Sequence, residues 1–309
     1  MCSAKSTTHN RKNLILGHLG AILTVSIWGA SFVSTKVLLE NRLSPSEIYI
    51  LRFLMAYLLI LIVCHKKLWA HSLRDELLFA SCGLCAGSIY FLAENTALEY
   101  TLTTNVALLT ATSPLFTAML AGLIYKSERP GQGAVIGSLV AFLGVGCVIF
   151  NSSTNLEIRP LGDILSLLAA VSWSVYSLVL RRLNANYDIW FITRKTFFYG
   201  VLTALPFAAM QPGSENLIAT LQKPEVIGNL LFLGVGASMV AYVIWARTVD
   251  CMGAVKANNY MYLQPIITMI ISAIVINEHV TLIGSIGIAL ILGGLWLGDE
   301  LTRRAAMKK

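Results

Sequence analysis

Charge is scarce in this chain: 13% of its 309 residues are Asp, Glu, Lys or Arg, against 56% hydrophobic. A soluble domain carries about 25% charged residues, so a surface that faces water over most of its area is excluded. Cysteine provides no framework either, because its six residues are scattered along the chain, mostly in or beside apolar segments. Cys82-x-x-Cys85 has no second pair and no histidine cluster to complete a zinc site, and the cysteines read as small packing residues. HExxH, GxSxG and Walker signatures are missing, which argues against an enzyme and leaves no cofactor or metal expected. Sustained alternation of polar and apolar residues is absent too, which excludes an outer-membrane barrel.

Long uncharged runs are what the chain has instead. About 20 apolar residues cross a bilayer, and backbone groups in lipid must be satisfied internally, which leaves helices. Ten spans are expected, at 14–38, 46–64, 75–97, 102–125, 132–150, 161–181, 188–210, 226–248, 255–277 and 281–298. The expected class is an all-α integral membrane protein, with the lipid bilayer as its first partner. Lys5, Arg11 and Lys12 precede the first span as they would in a signal peptide. The uncharged run from Leu14 to Thr35 is long, however, and lacks an obvious A-x-A site, so this span should be retained.

The formal charge of +7 is explained by topology, and no nucleic-acid partner is expected. With the N-terminus in the cytoplasm, 16 of the 23 Lys and Arg residues fall in cytoplasmic segments. These include Lys66, Lys67, Lys126, Arg129, Lys308 and Lys309. The opposite side holds Lys36, Arg42, Arg159 and Lys223. Such a bias sets orientation and places both termini in the cytoplasm of a cell bounded by the inner, or plasma, membrane.

The chain also reads as one sequence written twice. Pro114 and Pro265 are 151 residues apart, and "SERPGQGAVIGSLVAFLG" matches "NEHVTLIGSIGIALILGG" at an offset of 150. That match pairs Glu128 with Glu278, Gly137 with Gly287 and Gly144 with Gly294, while Trp28 corresponds to Trp173 at an offset of 145. The expected organisation is a cytoplasmic tail at 1–13, a first five-helix repeat at 14–150, a linker at 151–160, a second repeat at 161–298 and a basic tail at 299–309. An odd number of spans per copy inserts the halves with opposite orientation. Inverted repeats of this kind are a transporter architecture, with substrate bound at the repeat interface.

"IWGASFVSTK", "NTALEYTLTTNVALLTATSPLFTAMLAGLIYKSE" and "YVIWARTVDCMGAVKANNYMYLQPIITMIISAIVINE" resemble the EamA family of the drug/metabolite transporter superfamily, and the resemblance runs along essentially the whole chain. It implies a ten-helix exporter or exchanger of a small-molecule substrate, often an amino acid. The first four helices of each half would surround a central cavity and the fifth would be peripheral. Cargo is not specified, and lipid-linked or nucleotide-sugar cargo is the alternative within the superfamily. A membrane-embedded enzyme is a remote one. Gly133, Gly137, Gly144 and Gly146 on the fifth span and Gly284, Gly287, Gly293, Gly294 and Gly298 on the tenth let helices approach closely in lipid. They serve packing within a monomer or a homodimer face.

Candidate cavity residues follow from the proline breaks and the aromatics. A proline frees the carbonyl four residues back, here at Thr110 and Met261, and such a group needs a partner or a wet chamber. Asn105, Thr110, Pro114, Asn259, Gln264 and Pro265 are therefore expected at the cavity. Trp28, Phe32, Tyr90, Trp173, Tyr176, Trp245 and Tyr260 could supply apolar walls with hydrogen-bonding tips. Charges inside spans are expensive. Arg52, Glu94, Arg194 and Lys195 are the gate or charge-pair candidates, with Arg52 and Glu94 expected to pair. His18 reads as an interhelical packing or hydrogen-bonding residue.

Overall fold

The computed structural model describes residues 3–65, 68–124, 131–151, 160–210, 216–275, 277 and 281–307. Lys66, Lys67, Lys126, Glu128, Arg129, Arg159, Glu278, Lys308, Lys309 and nearly all of the 151–160 linker lie outside the described residues. Among the described residues there is helix and no strand. In chain order the helices are α1 (Ser3–Glu40), α2 (Pro45–Val63), α3 (Leu73–Tyr100), α4 (Thr103–Thr110), α5 (Ser113–Ile124), α6 (Gln132–Asn151) and α7 (Pro160–Asn184). They continue as α8 (Ile189–Met210), α9 (Leu217–Leu221), α10 (Pro224–Met252), α11 (Ala254–Asn259), α12 (Gln264–Val275) and α13 (Leu282–Met307).

Local sequence explains where these helices begin. Ser44 caps α2 in a reciprocal box with Glu47, and Pro45 fills the first turn, where its missing N–H costs nothing. Ser72 accepts from the Asp75 backbone at the head of α3, and Asp75 and Glu76 lie in the first turn, where negative charge favours the helix dipole.

Among the described residues, six helical stretches are long and apolar enough to cross a membrane: Leu14–Glu40, Pro45–Val63, Leu73–Tyr100, Asn105–Ile124, Pro160–Asn184 and Pro224–Met252. The other four expected spans fall on α6, on α8, on the α11–α12 pair and on α13. The distribution of side chains is that of a protein in lipid. Large apolar residues such as Leu19, Leu58, Leu123, Leu143, Met210 and Ile274 are exposed on the outside, while Arg52, Glu94, Arg194 and Lys195 are all buried. This is an all-α membrane protein with its ionisable groups turned inward.

Helix pairing repeats itself between the halves. Helix α1 packs on α10 and α12, and α7 packs on α3 and α5. Helix α2 packs on α10 as α8 packs on α3, and α2 also meets α8. Helices α6 and α13 lie against each other through glycine. A Cβ on Gly137 would stand 2.5 Å from the Gly294 carbonyl, and one on Gly144 would stand 2.6 Å from the Gly287 carbonyl. As α6 advances from 137 to 144, its contacts on α13 retreat from 294 to 287, so the two helices run antiparallel. The glycine faces expected to serve either internal packing or a second copy are thus turned toward each other within one chain.

Two features are interruptions in helices. Both α3 and α10 contain a π-helical stretch, Leu84–Ile89 and Phe232–Val240, at positions that correspond under the 151-residue offset. The proline breaks are also real, but the geometry differs from a kink in mid-helix. Pro114 is the second residue of α5 after a turn at Ala111–Thr112, and Pro265 is the second residue of α12 after the 3-10 turn Tyr260–Leu263. Each proline opens a half-helix, where its absent donor is an orphan in any case.

Candidate functional site

The site is built where α1, α3, α7 and α10 converge. Trp28, near the middle of α1, meets Trp173 of α7 edge to face at 4.9 Å between ring centroids. Trp245 and Tyr242 of α10 lie 5.2 Å and 5.8 Å from Trp28, and Tyr90 of α3 lies 5.3 Å from Trp173. Tyr176 joins one turn along α7, 5.0 Å from Trp173. Offset and tilted pairs of this kind are preferred by aromatic quadrupoles.

The π-helical stretches explain how these rings find acceptors inside a dry bundle. A π-helical turn perturbs the regular backbone ladder and is common at functional sites. Trp28 Nε1 donates to the Ala237 carbonyl at 2.9 Å, Tyr242 Oη to the Ala86 carbonyl at 2.7 Å and Ser172 Oγ to the Cys85 carbonyl at 2.7 Å. All three acceptors belong to π-helical stretches. The symmetry is incomplete: Ala86 is the counterpart of Ala237, yet its carbonyl goes to Tyr242. Trp173 Nε1 and Trp245 Nε1 are buried without a partner among the described residues.

Beside this cluster is a small cavity lined by Trp28, Ser31, Phe32, Tyr90, Phe91, Glu94, Trp173, Met261 and Gln264. Its water-sized free space is about 10 Å³, room for about one water molecule, so the chamber is closed down in this conformation. The structure thus brings together Trp28, Phe32, Tyr90, Trp173, Gln264 and Glu94 from the residues expected on sequence grounds, with Tyr176 and Trp245 in the aromatic cluster behind them. Ser31 and Phe91 were not anticipated, and Met261 was singled out only for its backbone carbonyl. Ser31 lies one helical turn after Trp28, so helical spacing could have found it, whereas Phe91 is the immediate neighbour of Tyr90 and helical spacing does not point to it.

Other expected residues stand elsewhere. Asn105 donates to Thr101 Oγ1 at 3.3 Å, and Thr110 Oγ1 returns to the Val106 carbonyl at 2.8 Å, both within their own segment. Pro114 and Pro265 are buried at the heads of α5 and α12, Asn259 is exposed, and Tyr260 bonds His18 across α1. The prolines form no part of the cavity lining, although Gln264 and Met261 reach it from the break that Pro265 follows.

The charges divide into two sets. Lys195 pairs with Glu76, which also accepts from Tyr199 and from the Ala70 backbone at 2.9 Å. Lys195 donates to the Leu68 carbonyl at 3.1 Å, and Arg194 bonds the Cys64 carbonyl. Together they tie Cys64, Leu68 and Ala70 to α3 and α8. The expected Arg52–Glu94 pair is corrected. Arg52 directs Nε to Ser238 Oγ at 3.0 Å and lies over the Phe91 ring at 4.4 Å. No ion pair joins it to Glu94 among the described residues, because Phe91 and the π-helical stretch of α10 hold the guanidinium.

Comparison with known proteins places this architecture. The EamA-like transporter family matches the chain twice, at residues 15–150 and 160–297, and the chain belongs to that family. It is a membrane transporter. A relative from Archaeoglobus fulgidus, named an uncharacterized transporter, is 31% identical over 91% of this chain and 96% of its own length. A relative from Escherichia coli, named a probable amino-acid metabolite efflux pump, is 24% identical over 90% of this chain and 92% of its own. A solved crystal structure shares the fold at a TM-score of 0.64 and 19% identity, covering 96% of this chain and 99% of that one.

Proposed function

We propose that this protein is a secondary transporter that exports a small amino-acid-like metabolite across the inner membrane, by alternating access between two inverted halves. The observation that carries the reading is the reversed order of the glycine contacts. Gly137 and Gly144 correspond in sequence to Gly287 and Gly294, and they meet them crosswise, 137 against 294 and 144 against 287. Copies of one helix that pack antiparallel on each other are related by an axis across the helices, hence in the membrane plane when they span it. Two halves so related can exchange conformations at little cost, opening a central site to alternate sides. Ten spans with both termini cytoplasmic complete this topology. The name of the E. coli relative supports the class of cargo and the direction.

Reconstitution tests it. Liposomes containing the full chain, loaded with a polar small-molecule extract of cells, should lose particular solutes faster than protein-free liposomes. Equal retention of every solute in both, with protein correctly folded and inserted, would overturn the reading.

A further inference from the structure

We infer that Arg52 and Glu94 are the two poles of a binding site for a zwitterionic solute, Arg52 taking its carboxylate and Glu94 its ammonium group. This rests on the transport reading above and names the ligand chemistry of the same chamber.

Arg52 is completely buried on α2. One of its donors, Nε, is taken by Ser238, while among the described residues Nη1 and Nη2 are buried with no acceptor and the nearby Tyr49 hydroxyl is equally unpartnered. Removing a guanidinium from water with two of its three nitrogens unanswered is costly. The aromatic faces of Phe91 and Phe53, at 4.4 Å and 5.8 Å, offset only part of it. Glu94 is buried on α3 and lines the cavity with Tyr90 and Phe91, and among the described residues no cation lies within ion-pair reach of it. The two side chains are therefore held apart in one interior, and Phe91 both lines the cavity and lies against the guanidinium.

A ligand carrying both charges completes both poles. The two Nη groups present parallel donors suited to a carboxylate, which takes such a fork in bidentate fashion. The Glu94 carboxylate suits an ammonium group, and the rings of Trp28, Phe32 and Trp173 suit an apolar side chain. Opening of the closed chamber by movement of Phe91 would bring the poles onto one ligand. A solute lacking either charge leaves one pole unanswered in the interior, which penalises it strongly.

The test uses the full-length protein in detergent, with thermal unfolding as the readout of binding. The probes are an equimolar mixture of the protein L-amino acids, the corresponding carboxamides, and the corresponding 2-hydroxy acids. Wild type should be stabilised by the amino acids and far less by the other two sets. Arg52→Gln should require at least about tenfold more amino acid for the same shift, yet respond to carboxamides as wild type does. Glu94→Gln should show the same loss toward amino acids while responding to 2-hydroxy acids normally. Ligand-free Arg52→Gln should melt at or above the wild-type temperature, since removing a buried charge with two unanswered nitrogens outweighs the loss of the Ser238 bond and of the Phe91 and Phe53 faces. Should that variant fail to fold, Arg52→Lys keeps the charge without the fork and should still weaken the amino-acid response. The site is wrong if amino acids and carboxamides stabilise wild type equally, if amino acids do not stabilise it, or if Arg52→Lys binds normally. Liposomes that export from the cell extract only solutes lacking the amine–carboxylate pair would sink this site and leave transport standing.

Discussion

Trp28 touches Trp173, the residue that holds its own position in the other half of the chain, with ring centroids 4.9 Å apart at an interplanar angle of 83°. A residue can meet its own counterpart only beside the axis that relates two copies, as at an isologous interface. The paired tryptophans also line the cavity, and under the alternating access proposed above this is where the two halves would move against each other.

The two rings are equivalent in sequence and unequal in bonding, which makes a sharp prediction. Trp28→Phe removes the Nε1 bond to the Ala237 carbonyl, whereas Trp173→Phe removes an indole N–H that has no partner among the described residues. Both lose similar ring volume. The difference in unfolding free energy should therefore be about 1 kcal/mol, with Trp28→Phe the less stable. Chemical denaturation of the two variants in detergent measures it, and equal stability would show that the Ala237 bond contributes nothing.

Glycine substitutions on α6 and α13 separate close packing from mere composition. Gly137→Ala drives its Cβ to 2.5 Å from the Gly294 carbonyl and from Gly298 Cα, both backbone atoms that cannot swing aside. A loss of about 1–3 kcal/mol is expected from overpacking. Gly293→Ala meets nothing within 4 Å and replaces a poor helix former, so it should leave stability unchanged or raise it by up to about 1 kcal/mol. Thermal unfolding of the two variants side by side decides the matter.

Much of the fold was legible because lipid imposes simple rules. Scarce charge and long apolar runs announce helices, and the recurrence of Pro114 at Pro265 and of Gly137 at Gly287 announces two copies. The site was legible only as a population of aromatics and buried charges. Composition cannot say which face of α3 turns inward, so Tyr90 was anticipated and Phe91 was not. The π-helical stretches left no mark in the residues themselves, since "LCAGSI" and "FLGVGASMV" would serve an ordinary helix. Arg52 and Glu94 were expected to form an ion pair, whereas Arg52 instead bonds Ser238 and lies over the Phe91 ring, contacts that no spacing rule reveals.

Removing one partner of the Lys195–Glu76 pair should be costly. Their side chains are only 5% and 13% exposed, and Glu76 also collects Tyr199 and the Ala70 backbone. Lys195→Met leaves that carboxylate without its cation, at about 3–5 kcal/mol. Lys195→Met combined with Glu76→Leu should recover a measurable part of the loss, because no uncompensated charge remains. A double variant as unstable as the sum of the two single variants would mean that the residues act independently.

The proline breaks offer the most informative test of dynamics. Pro114 and Pro265 each occupy the second position of a half-helix, so alanine there restores no bond needed by the present fold. It does remove the barrier to a continuous helix through the turn. Gln264, which precedes Pro265, has φ −55° and ψ −49°, a helical conformation that a following proline disfavours. Replacing the proline relieves that conflict, and stability should hold or rise by less than about 1 kcal/mol. Straightening would carry away Gln264 and Met261, which line the cavity. In the other half it would displace the Ser113 carbonyl, which accepts from Ser174 Oγ at 2.8 Å. Pro114→Ala and Pro265→Ala should therefore retain their melting temperatures and lose turnover together, because each break holds the corresponding place in its half. Solute efflux from liposomes, measured beside thermal unfolding of the same preparations, reads both quantities. Normal efflux in both variants would show that the turns persist without proline and that the breaks are set by the surrounding helices alone.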